Sequence, residues 1–252
     1  MGRRHTSIQA IEAVKEAKKV GFDNISVDLI YGIPGMSFKQ WQTNLKTVFD
    51  LNIQHLSAYH LTYHENTSFW DKLQKGILQE VEEEESIHQF EELIRSAENN
   101  GYIHYEISNF AKDGFYSKHN TSYWNQTEYL GLGPSAHSYN KISRHWNVSN
   151  INQYLTALAK GTIFGEEEVL SKIDQFNDYL ITGLRTIWGI DTDFIQKEFG
   201  EVFQVHVEKM TAKYLLFEKV KKEKNWIKIT KSGIFISDQI ISDYLFLDNK
   251  DK

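Results

Sequence analysis

The sequence predicts an α/β chain: part of a parallel sheet or βα barrel, followed by a mainly α, winged-helix-like domain. Three observations carry this expectation. Helix-period and strand-period segments alternate through the first part of the chain. Glycine or proline punctuates their boundaries, as at Gly21, at Gly32-Ile33-Pro34-Gly35 and at Gly101. From about residue 150 the texture changes to successive helical patterns, a short β segment and a closing helix. The expected division is therefore 1–149 for the barrel part and 150–252 for the C-terminal domain.

Taken in order, residues 7–20 set Ala10, Ile11, Ala13, Val14 and Ala17 on one helical face, with Thr6 or Ser7 as the cap. Residues 24–31 read as a strand. A helix over 37–51 turns Trp41, Leu45, Val48 and Phe49 inward, and a second strand covers 55–62. The pattern over 82–100 predicts a long helix with Ile87, Phe90, Leu93, Ile94 and Ala97 buried. Its acidic start, Glu82 to Glu85, suits the positive end of the helix dipole better than a metal site. Residues 102–107 form the third strand. Further helices are predicted over 152–160, 170–185, 191–199 and 202–218, then a strand over 226–230 and a last helix over 231–246. The basic run Lys219, Lys221, Lys222 and Lys224 reads as a solvated turn before the wing, and as thin support for DNA binding.

In the first strand, side chains alternate between two faces. Ile25, Val27 and Leu29 form the apolar set that suits helices; Ser26, Asp28 and Ile30 form the other. A carboxylate inside a buried parallel strand is costly unless something pairs with it. If the strand belongs to a βα barrel, that second face is the lumen, where ligands gather near the strands' C-terminal ends. Asp28 is then a candidate to accept a hydrogen bond from a ligand hydroxyl or amine. The alternatives are an aspartate that caps a neighbouring loop, or one paired with Arg3 or Arg4.

The most specific stretch is His119-Asn120-Thr121-Ser122-Tyr123-Trp124 with Tyr129 to Tyr139 behind it. An imidazole and an amide stand beside two large aromatics. Gly131, Gly133 and Ala136 are small enough to let a backbone pass close to something flat or bulky. Two readings stay open from residue types alone: a cofactor or macrocycle site, or a buried loop with a satisfied histidine.

Composition narrows the classes. The chain of 252 residues is long enough for one large domain or two smaller ones. A net charge of -6 argues against wrapping nucleic acid. No apolar run is long enough to cross a bilayer, and Met1 leads into Gly2-Arg3-Arg4-His5 without a secretion signal, so the expected compartment is the cytoplasm. The chain contains no cysteine, which excludes disulfides, thiolate metal sites and a cysteine nucleophile within it.

Several motifs in order then carry a family resemblance: Gly2-Arg3-Arg4-His5-Thr6, Val27-Asp28-Leu29-Ile30-Tyr31-Gly32-Ile33-Pro34-Gly35, Leu56-Ser57-Ala58-Tyr59 and Tyr105-Glu106-Ile107-Ser108-Asn109-Phe110-Ala111. The chain resembles the oxygen-independent coproporphyrinogen III oxidase family of radical S-adenosylmethionine (SAM) proteins across essentially its whole length. His119-Asn120-x-x-Tyr123-Trp124 is similar to the motif of that family's HemW-type branch, whose members are haem chaperones; the alternatives are the oxidase itself, acting on a porphyrinogen, and a non-enzymatic winged-helix interaction module. The resemblance implies that Arg3 and Asp28 contact SAM, Arg3 through a carboxylate and Asp28 through sugar hydroxyls. It places Thr62 and His137 where the family touches SAM through backbone, and His119 where the HemW branch meets haem iron, with Tyr123 and Trp124 against the porphyrin face.

One departure is large. The family's Cys-x-x-x-Cys-x-x-Cys loop, which holds a [4Fe-4S] cluster, is not in the chain, so the resemblance implies the C-terminal half of a radical-SAM partial βα barrel. Neither the oxidase reaction nor cluster chemistry is then expected from the chain alone. A half barrel exposes its first strand as an open edge, so self-association there, or disorder over residues 1–30, is expected. A haem-acceptor protein is an implied partner; nucleic acid and membrane insertion are not.

Overall fold

The computed structural model describes residues 4–162 and 165–247, which group into two compact units, 1–117 and 118–252. The change of texture near residue 150 therefore lies inside the second unit.

The first unit begins with α1 (Ser7–Lys19), whose cap is Thr6. The Gln9 N–H donates to Thr6 Oγ1 at 3.3 Å, and Gln9 Oε1 accepts from the Thr6 N–H at 2.8 Å. Ser37 and Gln40 repeat this reciprocal box at the start of α2 (Phe38–Asp50), which follows β1 (Ser26–Tyr31). Then come β2 (His55–His60), α3 (Ser68–Gln74), α4 (Glu83–Asn99), β3 (Ile103–Glu106) and β4 (Asn109–Ala111). The strands form one sheet in the order β1-β2-β4-β3. β1 and β2 are parallel, with Ser26 beside His55 and Asp28 beside Ser57.

Two sequence expectations are corrected here. The sheet is mixed, because β4 folds back beside β3 and inserts antiparallel between β3 and β2. Ile107 and Ser108 make that turn without glycine or proline, so no punctuation marked it. The short helix α3 also stands where a loop was expected. Residues 7–19 and 26–31 are helix and strand, so disorder over this stretch is not what the structure shows; Arg3 lies outside the described residues.

The two faces of this sheet differ sharply. One packs on α2 and α4: Leu56 and Phe110 are fully buried, and the Tyr31 ring lies 5.9 Å from Trp41 and 5.7 Å from Phe90. Trp41 donates its indole N–H to the Gln89 carbonyl at 2.7 Å, and Gln89 Oε1 in turn accepts from the Gly32 N–H at 2.9 Å. Gly32 sits at φ +68, and a Cβ there would come within 2.4 Å of the His60 ring. The other face carries Ser26, Asp28, His55 and Ser57.

The second unit opens with α5 (Lys118–Trp124), then β5 (His137–Tyr139), β6 (Ser143–Asn147), α6 (Ile151–Ala159) and β7 (Gly165–Val169). β5, β6 and β7 make an antiparallel sheet in that order. It continues through α7 (Lys172–Leu184), β8 (Ile190–Asp191), α8 (Thr192–Glu198), α9 (Glu201–Leu215), β9 (Val220–Glu223), β10 (Trp226–Ile229), one 3-10 turn at Ile234–Ile236 and α10 (Ser237–Tyr244). A second small sheet has the order β8-β10-β9. Phe176, Leu180, Ile195, Val207, Ile240 and Tyr244 form the core between it and its helices. The basic run is a correction: Val220 to Glu223 is a strand with Val220 buried, not a turn. The helix expected over 231–246 is shorter, because Thr230 and Gly233 first close a turn (Gly233 N–H to Thr230 carbonyl, 3.0 Å). Among the described residues no helix is long and apolar enough to cross a membrane.

Because Trp41 is 0% exposed and joins α2 to α4, Trp41→Ala is expected to lower unfolding stability by about 3–5 kcal/mol, measured by urea denaturation. Trp41→Phe keeps most of the packing and leaves the Gln89 carbonyl without its donor, so the loss should be roughly 1–3 kcal/mol.

Candidate functional site

In the first unit, period-2 alternation and the β1–β2 register put Asp28 on the face opposite α2 and α4. It is exposed there, between the rows of Ser26 and Ile30. Ser57 and Asn109 continue its row across β2 and β4, and both are buried. Asn109 donates to the buried Glu106 carboxylate, while its own Oδ1 is buried with no partner among the described residues. Thr62 stands two residues beyond the C-terminal end of β2, exposed, with its hydroxyl donating to the His60 carbonyl at 3.3 Å. Asp28 thus lies on β1, and Thr62 follows the end of its parallel neighbour β2.

Sequence reasoning missed the groups beside Asp28. Ser26 Oγ is 2.8 Å from His55 Nδ1, and His55 Nε2 is 2.8 Å from the Tyr105 hydroxyl. Burial lowers the His55 pKa, opposed in smaller measure by the Asp28 carboxylate. Burial likewise pushes the Tyr105 phenol up to about 12. The available signal was the i, i+2 spacing of Ser26 and Asp28; His55 and Tyr105 join them only through strand pairing.

In the second unit, α5 sets His119 and Tyr123 four residues apart on one helical face. Their rings meet edge-on at 5.0 Å, Tyr123 meets Tyr129 at 4.9 Å, and Tyr129 lies 6.0 Å from Tyr139 of β5. His119 is exposed, and so is Tyr123. Trp124 is turned away from that exposure: its indole nitrogen is buried, with no hydrogen-bond partner among the described residues. His137 opens β5, exposed, opposite Trp146 at a ring distance of 5.9 Å.

Of the two glycines of this stretch, Gly133 stands at φ +108 and Gly131 allows a close approach of backbone. A Cβ on Gly131 would lie 2.1 Å from the backbone oxygen of His137, so the close approach is to the chain's own strand. A cavity of about 700 Å³ lies on this sheet, lined by Tyr129, Tyr139, Tyr154, Leu158 and His145 among others.

The donor set decides which groups fit. The chain has no thiolate for an iron–sulfur cluster, and among the described residues no three His, Cys, Asp or Glu converge on a metal. A cluster does not fit these residues. An exposed imidazole beside a tyrosine ring does fit a haem iron, and an exposed carboxylate on a sheet's open face fits a sugar hydroxyl.

No family model matches the chain. The solved structure of coproporphyrinogen III oxidase (HemN) from Escherichia coli, titled a radical SAM enzyme, is similar with a TM-score of 0.77. That likeness covers 96% of this chain and 59% of that one at 19% identity, so the fold is radical-SAM-like. Sequence relatives are more specific. The chain is 30% identical over 248 residues to the heme chaperone HemW of Lactococcus lactis, covering 98% of this chain and 65% of the relative. It is 31% identical over 240 residues to the heme chaperone HemW of Bacillus subtilis, covering 95% and 62%. The chain belongs to the HemN/HemW-type radical SAM family, as a HemW-type member, and spans less than two thirds of the length of these relatives. Full-length members of that family imply SAM and a [4Fe-4S] cluster.

His55 yields a pH test. Its folded pKa lies below the ordinary 6.5, so the unfolded chain binds the proton more readily. The stability it contributes is complete above 6.5 and is lost as pH falls from there toward the lowered folded value. The urea midpoint of the wild type should therefore drop more steeply over that window than that of His55→Gln. Parallel pH dependences in the two proteins would remove His55 as the cause.

Proposed function

We propose that the chain is the haem-handling part of a HemW-type haem chaperone, passing haem to an acceptor protein. The observation that carries this is the exposed His119 imidazole, edge-on to Tyr123 at the head of the run Tyr123–Tyr129–Tyr139, in a HemW-type chain. Neutral imidazole is a good axial ligand, and an aromatic edge beside it favours a flat apolar macrocycle. The oxidase reading has no comparable support, since the likeness to HemN is one of fold.

In this reading Asp28 accepts from the ribose hydroxyls of SAM, with Thr62 contributing a backbone contact. Arg3, outside the described residues, would meet the carboxylate. This chain's share in that reading is to bind and orient SAM.

The order helix, strand, helix, helix, strand, strand from α7 to β10, with β8-β10-β9 pairing, is what a winged-helix-like domain requires, and supports that assignment for residues 172–229. Of the basic run, Lys222 is held by Glu208 and Lys221 by Glu223, which weakens the case for DNA. β1 pairs on one side only among the described strands, which supports self-association along its free edge.

Haem titration followed by the Soret band should give affinity at least about tenfold weaker in His119→Ala than in wild type, with Tyr123→Leu in between. Binding indifferent to His119 would remove it as the iron ligand. Light scattering across a concentration series should show mass above the monomer; a monomer at every concentration rejects association through β1.

A further inference from the structure

A hydrogen-bonded chain of four residues runs from the open face of the first unit into its interior. Ser26 Oγ lies 2.8 Å from His55 Nδ1, His55 Nε2 lies 2.8 Å from the Tyr105 hydroxyl, and the Ser117 N–H donates to the Tyr105 oxygen at 3.3 Å. His55 is 6% and Tyr105 0% exposed, whereas Ser26 at the other end is open to solvent.

The donors and acceptors along it can be put in order. Tyr105 is a phenol throughout the physiological range, and its oxygen already accepts from Ser117. Its own proton is therefore available to His55 Nε2. That leaves the imidazole proton on Nδ1, which donates to Ser26 Oγ. With the Ser26 oxygen accepting from His55, the Ser26 hydroxyl proton is left for a partner other than His55. Two residues along the same face, the Asp28 carboxylate is exposed and can only accept. Residues i and i+2 of a strand stand about 7 Å apart. The open face thus presents one donor and one acceptor at a spacing that a pair of adjacent hydroxyls can bridge, one hydroxyl donating to Asp28 and the other accepting from Ser26.

We propose that Ser26 is a second ligand-contacting residue beside Asp28, held as a donor by the His55–Tyr105 chain, and that the two together read the vicinal diol of a ribosyl group. The inference deepens the SAM reading of Asp28 and rests on it. His55 and Tyr105 are positioning residues. If Ser26 merely satisfied the buried imidazole, removing it would reduce stability and leave sugar discrimination as it was.

The test is NMR titration of the ¹⁵N-labelled full chain with SAM, with adenosine and with 2′,3′-dideoxyadenosine. Shifts should centre on β1, and adenosine should bind about tenfold more tightly than its dideoxy analogue. Ser26→Ala and His55→Phe should each erase that preference, and Ser26→Thr, which keeps the hydroxyl, should restore it. Equal binding of the two nucleosides by the wild type, or a preference that survives in Ser26→Ala, overturns the proposal. If the preference survives in Ser26→Ala but binding falls in Asp28→Asn, the role of Ser26 fails and the reading of Asp28 stands. If the wild type binds none of the three probes, both fail together.

Discussion

The parallel pairing of β1 with β2 is the constraint on which the first unit depends. It aligns Ser26 with His55 and Asp28 with Ser57, and strand alternation then fixes what lies on either side. A slip of one residue would turn Val27 and Leu29 to the open face and press Asp28 against Trp41 and Phe90. What prevents the slip is the apolar layer itself: Tyr31 between Trp41 and Phe90, with Leu56 and Phe110 beneath the helices. Burial of one face therefore orients the polar groups of the other.

The aromatic layer is tied together by hydrogen bonds as well as by area. The Gln89 carbonyl takes the Trp41 indole proton while the Gln89 side chain holds the backbone of Gly32, just past β1. One residue of α4 thus secures both the neighbouring helix and the end of the strand that carries Asp28. Buried polar groups with complete partners define a geometry more narrowly than apolar contact does, because every alternative arrangement strands a donor or an acceptor. The Ser26–His55–Tyr105 chain on the opposite face obeys the same logic.

The second unit works differently. Its candidate haem contact sits on a helix of 7 residues, and the rings that back it come from the next loop and from β5. The cross-strand bridge between Tyr129 and Tyr139, with both N–H···O distances at 2.9 Å, closes the loop that carries them. Gly131 makes this closure sterically possible, since any side chain there would strike the His137 backbone. Gly131 therefore serves chain packing as well as lining the cavity beside it.

Much of the architecture was legible in one dimension because it rests on local rules. Thr6 announces its helix by capping chemistry, and Trp41, Leu45, Val48 and Phe49 declare the buried face of α2 by period alone. The alternation of Ser26, Val27, Asp28 and Leu29 showed that a carboxylate would face away from the helices, and the structure places it so. Only the tertiary structure could decide the rest. β4 is three residues long and gains its partners from strands on both sides, so no local pattern marks it. His55 and Tyr105 are fifty residues apart and become one hydrogen-bonded pair only when β2 and β3 share a sheet. Local propensity and period act over a few residues, whereas which side chains meet is settled by strand register and burial, and these belong to the folded chain as a whole.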